Sequence, residues 1–326
     1  MGLRRGREIP SRMMLRALVR FVAACMLCAV LAPASGAAQQ PGKLRIGAVP
    51  VDVGGIAYYA ADLGFFNKAG LDVEIVTLAN GPAIASAVAS GSIDVGSSNA
   101  LSLAQAHERG LDFVFVAPSG AYTSASPTAG MVVPKTSAAR SAKDFDGKTI
   151  AVATLGSLGE IATRAWLDQN GADLKTVRFI EMPYSAMDTA IVAGRVDAAT
   201  MEEPALDRIT ATDARLFAHV YDAIDKDFSE GGFFSTAGYV KAHLDLMRRF
   251  SAVVAETSRW ANANQPASAR ILEKYSGIAT ADMTHRVRYH ERLDPARIQP
   301  LIDAAAKYGR LKAAFPATEL LAPGLF

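Results

Sequence analysis

Half of the 326 residues are hydrophobic and one fifth are charged, which is the composition of a folded globular protein and excludes a disordered chain. A chain of this length can bury a large core and is expected to form about two domains. The formal net charge is only +2, so the composition does not indicate a basic protein that binds nucleic acid.

The N-terminal segment has the pattern of a secretory signal peptide. Arginines precede the apolar run FVAACMLCAVLA, which is shorter than a membrane span and is followed by small residues. We expect cleavage near Ala38, which removes residues 1–38 and leaves a periplasmic chain of formal charge −3 without stable membrane insertion. Cleavage would also remove Cys25 and Cys28, which are the two cysteines of the sequence. This excludes disulfides and a cysteine nucleophile in the remaining chain. Lipid attachment at Cys25 is a weaker alternative, because this cysteine precedes most of the apolar run.

Residues 43–133 alternate between strand and helix patterns. The β-type runs are KLRIGAVPV, LDVEIVTL, SIDVGSS and LDFVFVAP, and the helical segments between them are IAYYAADLGFFNKAG, NGPAIASAVASG and NALSLAQAHERG. Strands that alternate with helices predict a mostly parallel sheet with right-handed crossovers.

The same order starts again at DGKTIAVATLGS. The strand patterns VRFIEM and VDAATM then alternate with the helical patterns LGEIATRAWLDQNG, YSAMDTAIVAGR and EEPALDRI. The stretches VASGSIDVGSSNA and VAGRVDAATMEEP share a glycine and an aspartate at matching positions, which are Gly91 with Gly194 and Asp94 with Asp197. We interpret the pattern as an internal repeat of a whole α/β lobe, with chance similarity between common β–α units as the alternative.

After Tyr221 the pattern becomes mostly helical, apart from the strand-like run GFFSTAGYV. Helices without new strands cannot form a third sheet, so we expect them to pack on the first lobe. The chain would then cross between the lobes twice, near Val132–Pro134 and near Phe233–Thr236. The predicted domains are residues 39–132 with 236–326 for lobe 1, and residues 133–235 for lobe 2.

Several of these motifs resemble a known family, the solute-binding proteins of ABC importers for taurine, aliphatic sulfonates, nitrate and thiamine precursors. The resemblance is carried, in order, by YYAADLGFFNKAGLDVEIV, ASGSIDVGSSN, DFDGKTIAV, AGRVDAATMEEP, GFFSTAGYVKAH and SRWANANQPASARILEKYSG. It covers nearly all of the chain after the predicted signal peptide.

The resemblance implies a type II periplasmic binding fold, with two α/β lobes of mostly parallel sheets joined by a two-segment hinge. It implies that a small-molecule ligand binds between the lobes and that the closed protein docks on a membrane permease driven by an ATPase. We expect a monomer, no cofactor and no metal site.

The family places its ligand contacts on loops at the carboxyl ends of strands, as open α/β sheets generally do. The matching positions are the candidate ligand-binding residues Asp52, Gly54, Asn80, Ser97, Ser98, Asn99, Ser119, Tyr122, Thr154, Gly156, Ser157, Tyr184, Glu202 and Glu203. Helix capping is an alternative role for Ser97, Ser98 and Asn99, for residues 154–157 in the second lobe and for Asp52. The helix dipole alone could favour Glu203. Glu202, at the position that matches Asn99, is the better candidate of the two glutamates.

The candidate loops contain three acids and neither lysine nor arginine. Carboxylates in a closed cleft repel an anion, so we hypothesise a neutral or amine-bearing ligand, with an aromatic or pyrimidine-like ring as one option. Import of an aliphatic sulfonate or taurine, held by amides and hydroxyls at helix N-termini, is the alternative. A periplasmic ligand sensor is another.

An enzyme is not expected. The histidines follow neither a metal-site nor a catalytic-triad spacing, and they are His107, His219, His243, His285 and His290. The segment GSLGE resembles part of a phosphate-binding loop but lacks its lysine. Related folds that act as enzymes need cysteines, which the chain lacks after residue 38.

Overall fold

The computed structural model describes residues 43–277, 279 and 285–326, so the predicted signal peptide lies outside the described residues. Residues Lys43–Phe326 form one compact unit. Within the described residues, no helix has the length and apolar character needed to cross a membrane.

The strands of the described chain follow one another in an order that the sequence patterns largely predict. They are β1 Leu44–Ala48, β2 Val73–Thr77, β3 Val95–Asn99, β4 Phe113–Pro118, β5 Gly120–Thr123, β6 Ala129–Pro134, β7 Thr149–Val152, β8 Arg178–Glu181, β9 Ala198–Glu202, β10 Ala214–Ala218, β11 Asp227–Ser229, β12 Gly231–Thr236 and β13 Arg288–Tyr289.

The α-helices lie between these strands and in the C-terminal part. They are α1 Ile56–Asp62, α2 Phe65–Lys68, α3 Gly81–Ala89, α4 Ala100–Glu108, α5 Leu158–Gln169, α6 Tyr184–Val192, α7 Ala205–Thr212, α8 Ala237–Ala242, α9 Leu244–Ala263, α10 Gln265–Ser276 and α11 Pro295–Lys307. Short 3₁₀ turns occupy Asp52–Gly54, Ala142–Phe145, Val220–Ala223 and Ala317–Leu320.

Two five-stranded sheets have the same architecture. Their strand orders are β2-β1-β3-β12-β4 and β8-β7-β9-β6-β10. In each sheet the first three strands pair in parallel, and the fourth is antiparallel to both of its neighbours. Four strands of each sheet therefore point the same way, which confirms the predicted α/β fold with two lobes of mostly parallel sheets.

The repeated glycine and aspartate occupy equivalent positions in the two lobes. Gly91 and Gly194 both adopt left-handed backbone, with φ of 72° and 68°, at the end of a helix. A carboxylate oxygen of Asp94 accepts the backbone N–H of Arg45 at 2.8 Å, and a carboxylate oxygen of Asp197 accepts that of Thr149 at 2.9 Å. Each aspartate thus ties the entry of the third strand to the start of the first.

The fourth strand of each sheet comes from the other half of the chain. β6 follows the first lobe but joins the second sheet, and β12 follows the second lobe but joins the first. β5 and β11, which precede these strands, pair with each other in a small third sheet with β13. The positions predicted for the crossings lie inside β6 and β12, and the predicted domain boundaries remain a prediction.

The C-terminal helices extend the core of the first lobe. Phe250 and Val254 of α9 are fully buried in one cluster with Ile46 of β1. Leu301 and Ile302 of α11 share a second cluster with Ile161 of α5. α11 therefore packs against a helix of the second lobe as well as on the first.

Two local predictions differ from the structure. The helix predicted over residues 56–70 is split into α1 and α2 because Gly64 adopts left-handed backbone with φ of 70°. The run GFFSTAGYV is a strand only as far as Thr236, whose side chain accepts the N–H of Tyr239 and begins α8.

Candidate functional site

A cavity of about 330 Å³ lies where the two lobes meet the hinge. Its walls come from the turn after β1, the start of α6, the end of β9, the β11–β12 junction and the segment before β13. The lining residues are Val51, Asp52, Val53, Thr128, Tyr184, Glu202, Glu203, Pro204, Glu230, Leu272, His285, Arg286 and Val287. The cavity thus combines apolar walls with several charged groups, as small-molecule sites commonly do.

Asp52 is held by a buried ion pair with Arg286. The guanidinium donates to both carboxylate oxygens at 2.8 and 2.5 Å, and the backbone N–H of Val287 donates to one of them at 3.0 Å. The hydroxyl of Tyr289 adds a hydrogen bond at 3.1 Å. Burial would lower the pKa of Arg286, but the Asp52 carboxylate outweighs it and raises this pKa. Asp52 caps no helix; it fixes the segment before β13 against the first lobe.

Glu202 lies at the end of β9, where its carboxylate meets two tyrosines. The hydroxyl of the fully buried Tyr221 donates to Glu202 at 2.5 Å. Burial and the neighbouring charge of Glu202 raise the pKa of both Tyr221 and Tyr184. Both tyrosines therefore stay protonated, so the Tyr221 hydroxyl can hold the Glu202 carboxylate in place.

Glu203 is next to Asp207 and His285 at the edge of the same cavity. A carboxylate oxygen of Glu203 accepts the backbone N–H of Asp207 at 3.0 Å, and burial raises the pKa of Glu203 to about 7. His285 Nδ1 lies 2.9 Å from Asp207 and 3.6 Å from Glu203. These three groups are close enough to ligate a divalent cation, although their contacts with one another already account for their arrangement.

Glu230 is a cavity residue that the sequence patterns did not single out. It stands between β11 and β12 and is only 8% exposed. Its Oε1 has no hydrogen-bond partner among the described residues. Burial, together with the charges of Glu202 and Asp52, raises the pKa of Glu230 to about 8. An acid shortly before the predicted crossing at Phe233–Thr236 is the signal in the sequence that could have indicated it.

Four of the predicted site residues line the cavity, namely Asp52, Tyr184, Glu202 and Glu203. Three others are helix caps. Asn80 accepts the N–H of Ala83, Asn99 that of Ser102, and Ser157 that of Glu160. For Asn99 and Ser157 this is the capping role that the sequence left open, whereas the cap at Asn80 was not predicted. None of these three side chains lines the cavity.

The remaining candidates also lie outside the cavity lining. Tyr122 is fully buried with Tyr221 and Phe228 and donates to Asp222 at 2.8 Å, because its place in the small third sheet turns its ring into the hinge core. Ser119 is buried, and its Oγ lacks a hydrogen-bond partner within the described chain. The others are Gly54, Ser97 and Ser98 around the first lobe, and Thr154 and Gly156 before α5.

The charged residues that line the cavity differ from those counted in the candidate loops of the sequence, which contain three acids and no arginine or lysine. Arg286 adds a positive charge that sequence position did not reveal, because it reaches Asp52 from 234 residues away. Glu230 adds a fourth carboxyl group to Asp52, Glu202 and Glu203. Since Arg286 compensates Asp52, the cavity still carries more acidic than basic groups.

Comparisons with known proteins agree with this architecture. Residues 54–269 match the family described as NMT1/THI5 like. A Brucella abortus (strain 2308) protein, named only as a binding protein, is 26% identical over 258 residues, which cover 72% of this chain and 74% of that protein.

Solved structures of periplasmic binding proteins share the fold. The aliphatic sulphonate binding protein SsuA from Escherichia coli superposes with a TM-score of 0.72 at 18% identity, covering 86% of this chain and 92% of its own. The nitrate-binding protein NrtA from Synechocystis PCC 6803 gives 0.66 at 16% identity, covering 84% and 83%. The chain thus has the two-lobed periplasmic binding fold, and it belongs to the NMT1/THI5-like family.

Proposed function

We propose that the protein is the periplasmic substrate-binding component of an ABC importer, which captures a small organic molecule between its lobes and delivers it to a membrane permease. Family membership, the two-lobed fold and the predicted signal peptide support this proposal. The cavity supports it too, because its walls come from both lobes and from the hinge. A ligand that contacts all of them stabilises the closed form by its differential affinity.

The ligand that suits this cavity is neutral or amine-bearing. The observation that carries this assignment is the excess of carboxyl groups around the cavity: Arg286 compensates Asp52, and a single histidine, His285, accompanies the other three acids, Glu202, Glu203 and Glu230. An anion would meet repulsion that a protonated or neutral nitrogen would not. Val51, Val53, Leu272 and the ring of Tyr184 offer apolar contacts for a carbon skeleton, including an aromatic or pyrimidine-like ring.

The two neighbours named above, a sulphonate-binding and a nitrate-binding protein, bind anions. A family-wide fold does not fix the ligand, because specificity resides in the side chains that line the site. Import of a sulfonate or taurine by this chain is therefore an outcome that the ligand screen below can reveal.

A thermal-shift screen against polyamines, ring amines, pyrimidines, aromatic acids and sulfonates tests the proposal. A ligand at about 100 times its Kd adds roughly 2.7 kcal/mol to the free energy of unfolding, which is readily detected. We expect stabilisation by amine-bearing compounds, together with a smaller radius of gyration in solution scattering as the lobes close.

The control is the same screen on Tyr184→Ala, which removes a cavity wall and should weaken every true ligand. Tight binding of taurine or an alkanesulfonate, with no affinity for ring amines, would contradict the assigned ligand class. Binding without any change in the radius of gyration would contradict capture by lobe closure.

A further inference from the structure

Glu230 is held in position by its backbone. Its N–H donates to the carbonyl of Gly120 at 3.1 Å, and its own carbonyl accepts the N–H of Ala100 at 2.9 Å. These bonds connect the β11–β12 junction to β5 of the hinge and to the start of α4 in the first lobe. The side chain therefore enters the cavity from a fixed point.

The carboxyl group of Glu230 is buried but incompletely paired. Oε1 lacks a hydrogen-bond partner in the described part of the chain, although 92% of the residue is removed from solvent. A buried acceptor without a partner is costly, and most buried polar groups in native proteins are paired. An oxygen of this kind that lines a cavity is well placed to be paired by a ligand.

The other acids of the cavity already have internal partners. Asp52 is bound by Arg286 through both oxygens, and Glu203 accepts the N–H of Asp207. Glu202 accepts the hydroxyl of Tyr221. Among the described residues, Glu230 is thus the acid of this group that has a buried carboxylate oxygen without a hydrogen-bond partner.

We propose that the ligand is an organic cation, and that Glu230 is the counter-ion of its positively charged nitrogen. This inference rests on the proposed function, because it names the ligand class of the same cavity. An ammonium or amidinium group would donate N–H bonds to Glu230, with Glu202 as a second negative group nearby. The apolar walls would contact the carbon skeleton. Charge-assisted hydrogen bonds of this type are short and strong in a dry site.

Pairing of a cation with Glu230 requires that this side chain lose its proton. In the unliganded protein burial raises the pKa of Glu230 to about 8, and the negative charges of Glu202 and Asp52 contribute to this rise. Tyr122, Tyr184 and Tyr221 face Glu230 as neutral phenols, while Arg286 is engaged by Asp52 and His285 by Asp207. Glu203, whose pKa burial raises to about 7, titrates in the same cavity. Glu230 is therefore mostly protonated at pH 6 to 7, and a cation that pairs with the carboxylate must release this proton to solvent.

The sign of the pH dependence follows. Below the pKa of Glu230, each unit of pH rise increases the carboxylate fraction and the affinity for a permanently charged cation about tenfold. Above pH 8 the affinity should level off. A neutral ligand would show no such slope, because its binding requires no deprotonation of Glu230.

The experiment compares matched probes on wild-type protein and on Glu230→Gln, which keeps the side-chain shape and removes the charge. Isothermal titration with benzylamine and benzamidine, with benzyl alcohol and benzamide as neutral partners, and with phenylmethanesulfonate as the anion tests the charge preference. We expect the cations to bind at least tenfold more tightly than their neutral partners. Glu230→Gln should lose this preference and should flatten the pH slope between pH 7 and 8, while benzyl alcohol changes less than threefold.

Two further variants keep the outcome clear. Glu256→Gln removes an exposed carboxylate of α9 far from the cavity lining and should behave as wild type. Glu230→Asp keeps the charge and should retain the preference for cations, even if Glu230→Gln folds poorly by circular dichroism.

Equal binding, or equal failure, of the cationic, neutral and anionic probes would overturn the inference. Retention of the cation preference in folded Glu230→Gln would overturn it as well. Neutral probes that bind as tightly as the cations and reduce the radius of gyration would leave the proposed function intact while removing this one. If probes bind but none of them reduces the radius of gyration, the result would instead count against the proposed function.

Discussion

The two lobes share their framework but differ where β3 and β9 end. Asp94 and Asp197 accept equivalent backbone N–H groups, and the glycines before them adopt the same left-handed backbone. After this junction the first lobe uses Asn99 to cap α4, whereas the second places Glu202 in the cavity. The repeated residues therefore build the fold, and the residues that differ provide the charge of the site.

The turns that follow the first strand of each lobe show a second contrast. In the first lobe Asp52 pairs with a single arginine of the described residues, Arg286, whose side chain is 4% exposed. In the second lobe the fully buried Glu160 binds both Arg164 and Arg310 and accepts the N–H of Gly156. Pairing between an acid and arginine thus stabilises both turns. One arginine pairs at the turn of the first lobe, and two pair at the turn of the second.

The largest expected effect comes from removing these arginines. Arg286→Met leaves Asp52 without its cationic partner and should lower the free energy of unfolding by about 3–5 kcal/mol. Arg310→Met should cost only about 1 kcal/mol, since Arg164 still pairs with Glu160. Urea denaturation measures both values. The double variant Asp52→Asn/Arg286→Met should regain part of the loss, and equal costs for the two arginines would contradict the contrast.

A smaller effect is expected at the repeated aspartates. Asp94→Ala loses the N–H of Arg45 and a two-point contact with its guanidinium, and should cost about 2–3 kcal/mol. Asp197→Ala should cost about 1–2 kcal/mol, because its cationic neighbour Lys148 is 3.6 Å away and exposed. Thermal unfolding at neutral pH checks the order. A larger loss of stability in Asp197→Ala than in Asp94→Ala would contradict this prediction.

The smallest change in stability is expected at the ends of β3 and β9. Asn99→Ala removes a helix cap and should cost about 1 kcal/mol, with ligand affinity altered less than threefold. Glu202→Gln should weaken binding of a cationic ligand about tenfold and leave the melting temperature within a few degrees, because Tyr221 can still donate to the amide oxygen. Titration calorimetry with melting curves on both variants separates the roles. A tenfold loss of affinity in Asn99→Ala would place this cap in the binding site after all.

Local patterns predicted most of the regular elements. Apolar periodicity, together with the glycine that ends each helix, indicated the strands and helices of both repeats. The strands β5, β6, β10, β11 and β13 escaped prediction, because short hinge and edge strands depend on distant partners rather than on a pattern of their own. Gly64 shows the same limit, since a glycine in a helical pattern can either continue the helix or, as here, end it.

The sequence by itself determined the duplicated α/β framework, since helix and strand periodicity and the Gly–Asp junction are local signals that each lobe repeats. It also indicated Glu202, Glu203 and Tyr184, which follow strands of the predicted sheet. Only the tertiary structure brought Arg286 to Asp52 and Glu230 into the cavity, because both are joined to the site by contacts between segments far apart in the chain. Burial then decided the chemistry of the site, since Glu230 is buried with an oxygen that no described group pairs, whereas Asp52, Glu202 and Glu203 have internal partners.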